Sequence, residues 1–265
     1  MREWFSNFGK KPVDRHDPTM ASLLTPPQDS LRVIRKNDYG RDVVAGPDGL
    51  LLHEIIQNET DQMFLARLLK GVIPVSDIVF VKDDGRFYSQ EIPLEDVMSG
   101  ADYTYDKVNA RIDILILDLI FSDGDHSLRK RIDSPVVGHN AQSDGTKTVF
   151  YDFGAFPGGF FEDRSAYSRD SKKEADQFEG AVRYLHHDEN QKRIALERLA
   201  ELRLHLEGES GISLMRAILA SMKREGAGTP YVIEELRKEE PSADPVVVFQ
   251  EEILRRISLM EQAIG

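Results

Sequence analysis

The stretch ILILDLIFSDGDHSLRKRI, Ile114 to Ile132, runs from buried-looking aliphatics straight into Asp123, Asp125 and His126. Further along, a second apolar segment, TKTVFYDFGAF, also ends in an aspartate, Asp152, followed by Phe153 and Gly154. Carboxylates at the ends of hydrophobic segments suit a hard cation beside a phosphate, because Mg²⁺ takes one or two carboxylates and completes its shell with phosphate oxygens and water. A carboxylate in a loop also suits a general base that orients a hydroxyl for attack on phosphorus. The same residues also serve as plain turn formers. Asp123 or Asp125 can cap a following turn, and Gly154 can release the chain from a strand end at Asp152.

A third carboxylate, Glu59, falls between Ile56 and Met63 within an apolar stripe at helical spacing. A charge on such a face needs a partner, since an unpaired buried charge costs several kcal/mol. Lys36, on the strand expected before that helix, is one candidate, with Arg35 the rival on the opposite face; at the edge of the stripe Glu59 would simply reach water.

Composition narrows the chemistry. The 265 residues carry 46 acidic and 34 basic side chains, a formal net charge of −12, so a general nucleic-acid binder is disfavoured. With no cysteine, disulfides, zinc–thiolate sites and cysteine catalysis are excluded. The longest aliphatic run, Ile112 to Phe121, is too short for a membrane span and contains Asp113 and Asp118. The N-terminus has no apolar signal-peptide core. A soluble, cytoplasmic protein without a membrane span is expected, and its oligomeric state is not legible.

The elements that must position these residues read as follows. Residues 1–29 form a proline-broken arm. SLRVIRK (30–36) predicts a strand, and NDYGRDVVAGPDG is turn-rich. The spacing from Leu50 to Lys70 predicts a helix closed by Gly71. VSDIVFVKDDGRFYSQEI predicts a hairpin around KDDG, and Glu91 to Leu94 end the sheet. DKVNARIDILILDLIF predicts a buried helix, TVFYDFG a strand, and FPGGFFEDRSAYSRDS a polar loop. Helical patterns follow at about 171–187, 190–207 and 211–224, and an amphipathic helix runs from Pro245 to Ala263. The expected organisation is α+β and two-lobed: an arm (1–29), a small β-rich N-lobe (30–95) and a helical C-lobe (96–265).

Taken in order, a lysine on a strand, a glutamate on the next helix, a hairpin, an aspartate loop after a buried helix and a strand ending in Asp-Phe-Gly resemble the protein-kinase-like fold. NETDQMFLARLLKGVIPVSDIVFVKDDGRFYSQEI looks like the helix-to-hinge stretch of its atypical branch. DLIFSDGDHSLRK is loosely similar to the Asp-Arg-His-x-x-Asn loops of the phosphoinositide-kinase-like, HipA-like and secretory-pathway casein-kinase-like groups. The resemblance covers about residues 30–156.

It implies ATP and Mg²⁺ as cofactors, a hydroxyl-bearing acceptor (protein, lipid head group or small molecule) and a Mg-ATP-dependent phosphotransferase. Lys36 would hold the α- and β-phosphates and Glu59 would hold Lys36. Asp125 would orient the acceptor hydroxyl, Asp152 would bind Mg²⁺, and Asp123 is a further ligand or base. Glu91, Ile92 and Leu94 would face adenine through backbone groups. Three departures stand against this. With Asp125 matched to the families' aspartate, Lys130 takes the place of their metal-binding asparagine; with His126 matched to their histidine, Gly124 replaces the aspartate and Arg129 the asparagine. Asn140 and Asp144 are conceivable substitutes. No glycine-rich loop precedes Lys36, only ASLLTPPQDS. A pseudokinase, a binding or regulatory module with lost or weakened catalysis, is therefore the alternative.

Overall fold

The computed structural model describes residues 32–36, 40–45, 51–82, 85–90, 108–123, 141–143, 148–167 and 171–265. An antiparallel sheet comes first in the chain and helices dominate after it, an α+β arrangement. β1 (Arg32–Lys36) and β2 (Asp42–Ala45) pair antiparallel, with an irregular step between Val33 and Arg35. β3 (Leu51–Ile55) follows, then helix α1 (Glu59–Leu69), then the hairpin β4 (Ile78–Val81) and β5 (Arg86–Gln90). The strand order is β1-β2-β3-β5-β4, so β3 is central and α1 connects it to the far edge.

Two of these strands correct the sequence reading. β2 lies inside the turn-rich stretch, and β3 lies inside the segment expected to be the first turns of a helix. Leu52 and Ile55 carry helical as well as extended spacing, and a short apolar run does not distinguish the two. Pairing decides: Leu52 sits opposite Val44 on one side and Gln90 on the other, so β3 is hydrogen-bonded along both edges. α1 itself begins only at Glu59, with Glu59 and Asp61 in the first turn and Arg67 in the last, complementing the helix dipole. As expected, Gly71, at φ +91°, takes the chain out of it.

α2 (Val108–Ile120) is the buried helix foreseen in the sequence; from Ile112 to Ile120 every side chain is buried, Asp113 and Asp118 included. β6 (Ala141–Ser143) and β7 (Thr148–Phe150) form a separate two-stranded hairpin. β7 is stitched to the segment leading into β4: Phe150 N–H donates to the Pro74 carbonyl and Ser76 N–H to the Phe150 carbonyl, both at 2.9 Å.

α3 (Phe156–Tyr167) stands where a polar loop was expected. Pro157, Gly158 and Gly159 look like breakers, but proline is tolerated in a first helical turn, where its missing N–H has no partner to lose. Gly159 has a packing reason. A Cβ there would lie 2.1 Å from the Ser122 carbonyl oxygen, so only glycine lets the helix rest on that peptide. α4 (Ser171–Val182), a 3₁₀ turn (Arg183–His187), α5 (Glu189–Leu206), α6 (Gly208–Glu225), α7 (Tyr231–Glu239) and α8 (Pro245–Ile264) complete the chain. The cap at Asp188, whose side chain accepts from Asn190 and Gln191 N–H, starts α5, and Asp244 does the same for α8.

One apolar cluster extends from the sheet face that meets α1 (Ile55, Ile78, Phe80, Phe87) through α1, α2 and α3 to α8. A smaller one, Val44, Leu52, Val79, Val81 and Tyr88, lies on the other face. No helix among the described residues is long and apolar enough to cross a membrane.

Candidate functional site

Asp152 follows β7 by two residues and has a left-handed backbone, φ +58°. Its Oδ1 accepts a hydrogen bond from Gln62 Nε2 of α1 at 3.2 Å, and Gln62 Oε1 accepts from Phe153 N–H at 3.1 Å. Gln62 is 1% exposed, so this amide is fixed by packing rather than free to turn. One turn earlier, Asn58 Nδ2 donates to the Gly154 carbonyl at 2.6 Å. α1 therefore grips all three residues of the Asp-Phe-Gly segment. β7 positions the segment from one side, because its pairing with the Pro74–Ser76 backbone ties it to the chain that leaves α1.

The end of α2 packs on α3, the helix that follows this segment. Phe121 N–H reaches back to the Ile116 carbonyl (3.4 Å) and Asp123 N–H to the Leu117 carbonyl (3.0 Å), which closes the helix in a widened last turn. Ser122 is left-handed, φ +56°, and Asp123 is completely buried. Phe121 meets Phe156 edge-on at 6.4 Å, just beyond Gly154. Ser122 Oγ donates to Asp163 of α3 at 2.6 Å.

Asn58, Ser122 and Asp152 are the three non-glycine residues with positive φ among those described. Asn58 and Asp152 lie on two segments that bond each other, and Ser122 lies at the end of α2 where it packs on α3. Such a backbone costs a side-chain-bearing residue about 1–3 kcal/mol and persists where surrounding contacts impose it, which happens disproportionately at functional sites.

The sequence-predicted residues divide into three groups. Asp152 and Asp123 lie on the segments just described. Asp125, and with it His126, Arg129 and Lys130, lies outside the described residues, as do Glu91, Ile92, Leu94, Asn140 and Asp144. Lys36 lies on β1, the sheet edge opposite β4, and its side chain is 66% exposed. Its ammonium bonds Asp42 Oδ1 (3.0 Å) and the Gly40 carbonyl (3.1 Å) across the β1–β2 turn. The expected order, a Lys36 strand feeding the Glu59 helix, is corrected: the strand before α1 is β3, whose residues Leu51, Leu52, His53, Glu54 and Ile55 include no lysine. Glu59, half-exposed at the first position of α1, is on the helix but a turn short of Gln62, the residue that reaches Asp152.

Gln62 and Asn58 carried no signal that singled them out. A glutamine inside an apolar stripe is a weaker anomaly than a glutamate, and Asn58 fell inside the helix expected from Leu50 to Lys70 rather than at its cap. Asn58 makes no side-chain cap bond, however, and spends its amide on Gly154.

A hard carboxylate at a strained strand exit, with a phosphate expected beside it, has the donor chemistry that Mg²⁺ accepts. Among the described residues no three acidic or histidine side chains converge into an all-protein metal cage. Mg²⁺ itself takes only one or two protein carboxylates and fills its shell with phosphate oxygens and water, so a single described carboxylate such as Asp152 suits it in donor type. No protein family, no curated protein and no solved structure matches the chain.

Proposed function

We infer that the chain is a kinase-like protein that binds Mg²⁺-ATP and transfers the γ-phosphoryl group to a hydroxyl acceptor, with Asp152 as metal ligand and Asp125 as the group that orients the acceptor. The observation that carries this reading is the left-handed Asp152 after β7, its carboxylate oriented by Gln62 of α1. The order of elements supports it: a five-stranded antiparallel sheet, a helix between its third and fourth strands, a buried helix, a small hairpin and Asp-Phe-Gly. Bound Mg²⁺ would neutralise charge developing on the transferred group, the main catalytic need of phosphoryl transfer. The acceptor class stays open among a protein hydroxyl, a lipid head group and a small alcohol.

The second reading, a nucleotide-binding regulatory module without catalysis, is favoured by the lysine. Protein kinases hold the nucleotide's phosphates with a lysine on the third strand, paired to a glutamate of the following helix. Here the third strand has none, and Lys36 is engaged by Asp42 on the first hairpin.

A thermal-shift titration with ATP, with and without Mg²⁺, decides whether the site binds nucleotide. Saturation at about a hundred times Kd stabilises the native state by roughly 2.7 kcal/mol through mass action. The expected result is a shift that needs the metal and is lost in Asp152→Asn. No metal-dependent shift in the wild type overturns the reading. Transfer from γ-labelled ATP that vanishes in Asp125→Ala assigns catalysis; a shift without transfer assigns the regulatory module.

A further inference from the structure

We propose that Arg256, in the middle of α8, is a positioning residue that locks the end of α2, two residues before Asp125 in the sequence at Asp123, to α3, the helix that follows Asp152. The inference rests on the reading of these two segments as one site. Arg256 is 2% exposed, the largest fully buried side chain among those described. A guanidinium taken out of water costs several kcal/mol unless its donors are met, so the partners show what it is for.

Its Nη1 donates to Ser122 Oγ and to the Ile120 carbonyl (3.3 Å), the last residue of α2. Its Nη2 donates to the Phe160 carbonyl of α3 (3.2 Å), and its Cζ sits 4.8 Å from the Phe160 ring centre. Nε donates to Glu252 Oε1 at 2.7 Å, one helical turn back. Burial works against ionised Glu252, yet Arg255 and Arg256 hold its carboxyl below the usual range, so the pair stays charged.

The network continues through Ser122. Its hydroxyl accepts from Arg256 and donates to Asp163 Oδ2, giving a chain from Glu252 through Arg256 and Ser122 to Asp163. A single planar fork thus spans the end of α2 and the body of α3. The Ile120 carbonyl is one of the helix-end acceptors left without an intrahelical donor, where a cation is also favoured by the dipole. Ser122 is the left-handed residue at the end of α2, and Gly159 admits α3 onto its peptide. A core arginine kept only for packing would not need acceptors on both segments that flank the candidate site. Lysine, a point charge without the fork, cannot bridge them.

The test compares Arg256→Lys, Arg256→Met and Ser122→Ala with Arg255→Met, which removes a cation from the same Glu252 without touching the end of α2. Amide hydrogen exchange is followed well below the melting temperature. The proposal expects exchange in peptides 117–123 and 156–163 to rise roughly tenfold or more in the three network variants, with β4, β5 and α6 unchanged and Arg255→Met like wild type. Unchanged exchange at those peptides overturns it. So does a uniform rise everywhere, or a failure of all network variants to fold, since either marks Arg256 as a general stabiliser. The function reading fails separately, by absence of a Mg²⁺-dependent ATP shift in the wild type. Where transfer occurs, Arg256→Lys lowers kcat on the order of a hundredfold with little change in KM for ATP, because misplacing a reacting group by an ångström costs that much; equal losses in both would overturn the positioning role.

Discussion

Asp113, on α2, faces Arg198 of α5 at 3.1 Å with only 3% of its surface exposed, and these two facts pull its carboxyl in opposite directions. Burial dominates. It pushes the carboxyl up to about 7, against the lowering influence of Arg198 and with a smaller push from Glu201, which shares that arginine. A group whose native pKa lies above its unfolded value stabilises the fold fully below the unfolded value, here 3.8, and that contribution is lost as pH rises to about 7. The stability difference between wild type and Asp113→Asn should therefore fall across that window, by on the order of 4 kcal/mol at most, and level off above it. Urea unfolding of both proteins from pH 4 to 8 measures it; parallel curves would show that Arg198 keeps Asp113 ionised throughout. The sequence flagged Asp113 only as a charge inside an apolar run. Its partner lies 85 positions downstream by numbering (198 − 113), and no local pattern pairs them. The same limit hid Gln62. Asp152 was legible because glycine and a strand end announce a carboxylate locally, whereas what orients it comes from another helix.

At the scale of elements, α1 is held from the helical side as firmly as from the sheet. Arg67 makes two 2.8 Å bonds to Glu225 of α6, and His205 of α5 bonds the Leu68 carbonyl at 2.8 Å. Asp61 accepts from Tyr231 N–H (3.0 Å) and Val232 N–H (2.8 Å), capping α7 from a different helix. Burial raises the Asp61 carboxyl and these backbone donors lower it, with burial the larger influence. Removing the cap leaves two amides at the start of α7 without their acceptor, a loss of about 1–3 kcal/mol. Asp61→Ala should lower stability by that amount and raise exchange at 231–236, while Glu59→Ala, its half-exposed neighbour, should cost no more than about 1 kcal/mol through the helix dipole and leave exchange at 231–236 unchanged; equal effects from the two would remove the capping role. The elements themselves were largely readable. β1, the β4–β5 hairpin, α2, β7 and the helices from α4 to α6 and α8 follow from periodicity and breakers. β3 and α3 did not, because sheet pairing overruled one spacing and a close contact explained glycines that looked like punctuation. α7 was hidden behind Gly226, Gly228 and Pro230, which end one helix and begin the next within a few residues.

For the molecule as a whole, the continuity of the core decides how it unfolds. The expected division at residues 95 and 96 lies outside the described residues, but the apolar cluster does not divide between sheet and helices. Phe64 of α1 meets Phe249 of α8 edge-on at 5.6 Å, and Phe249 also contacts Phe156 and Phe160 of α3. All four rings are fully buried. Residues on the sheet's α1-facing side belong to the same cluster, so an independent unfolding of the strands would strip α1 of its packing on the sheet side. A protein built as two weakly joined lobes would show two transitions, or an early loss of protection in the sheet alone. A single cooperative transition is expected here, with β4, β5, α1 and α8 losing exchange protection together. Phe64→Ala, which opens a cavity between α1 and α8, should cost about 3–5 kcal/mol and lower protection in both the sheet and the helices. A variant that loses protection in β4 and β5 while α8 keeps wild-type values would mean that the sheet opens alone. Such opening would free the α1 grip on Asp152 without unfolding the helical body, and the candidate site would then be assembled by closure rather than built in.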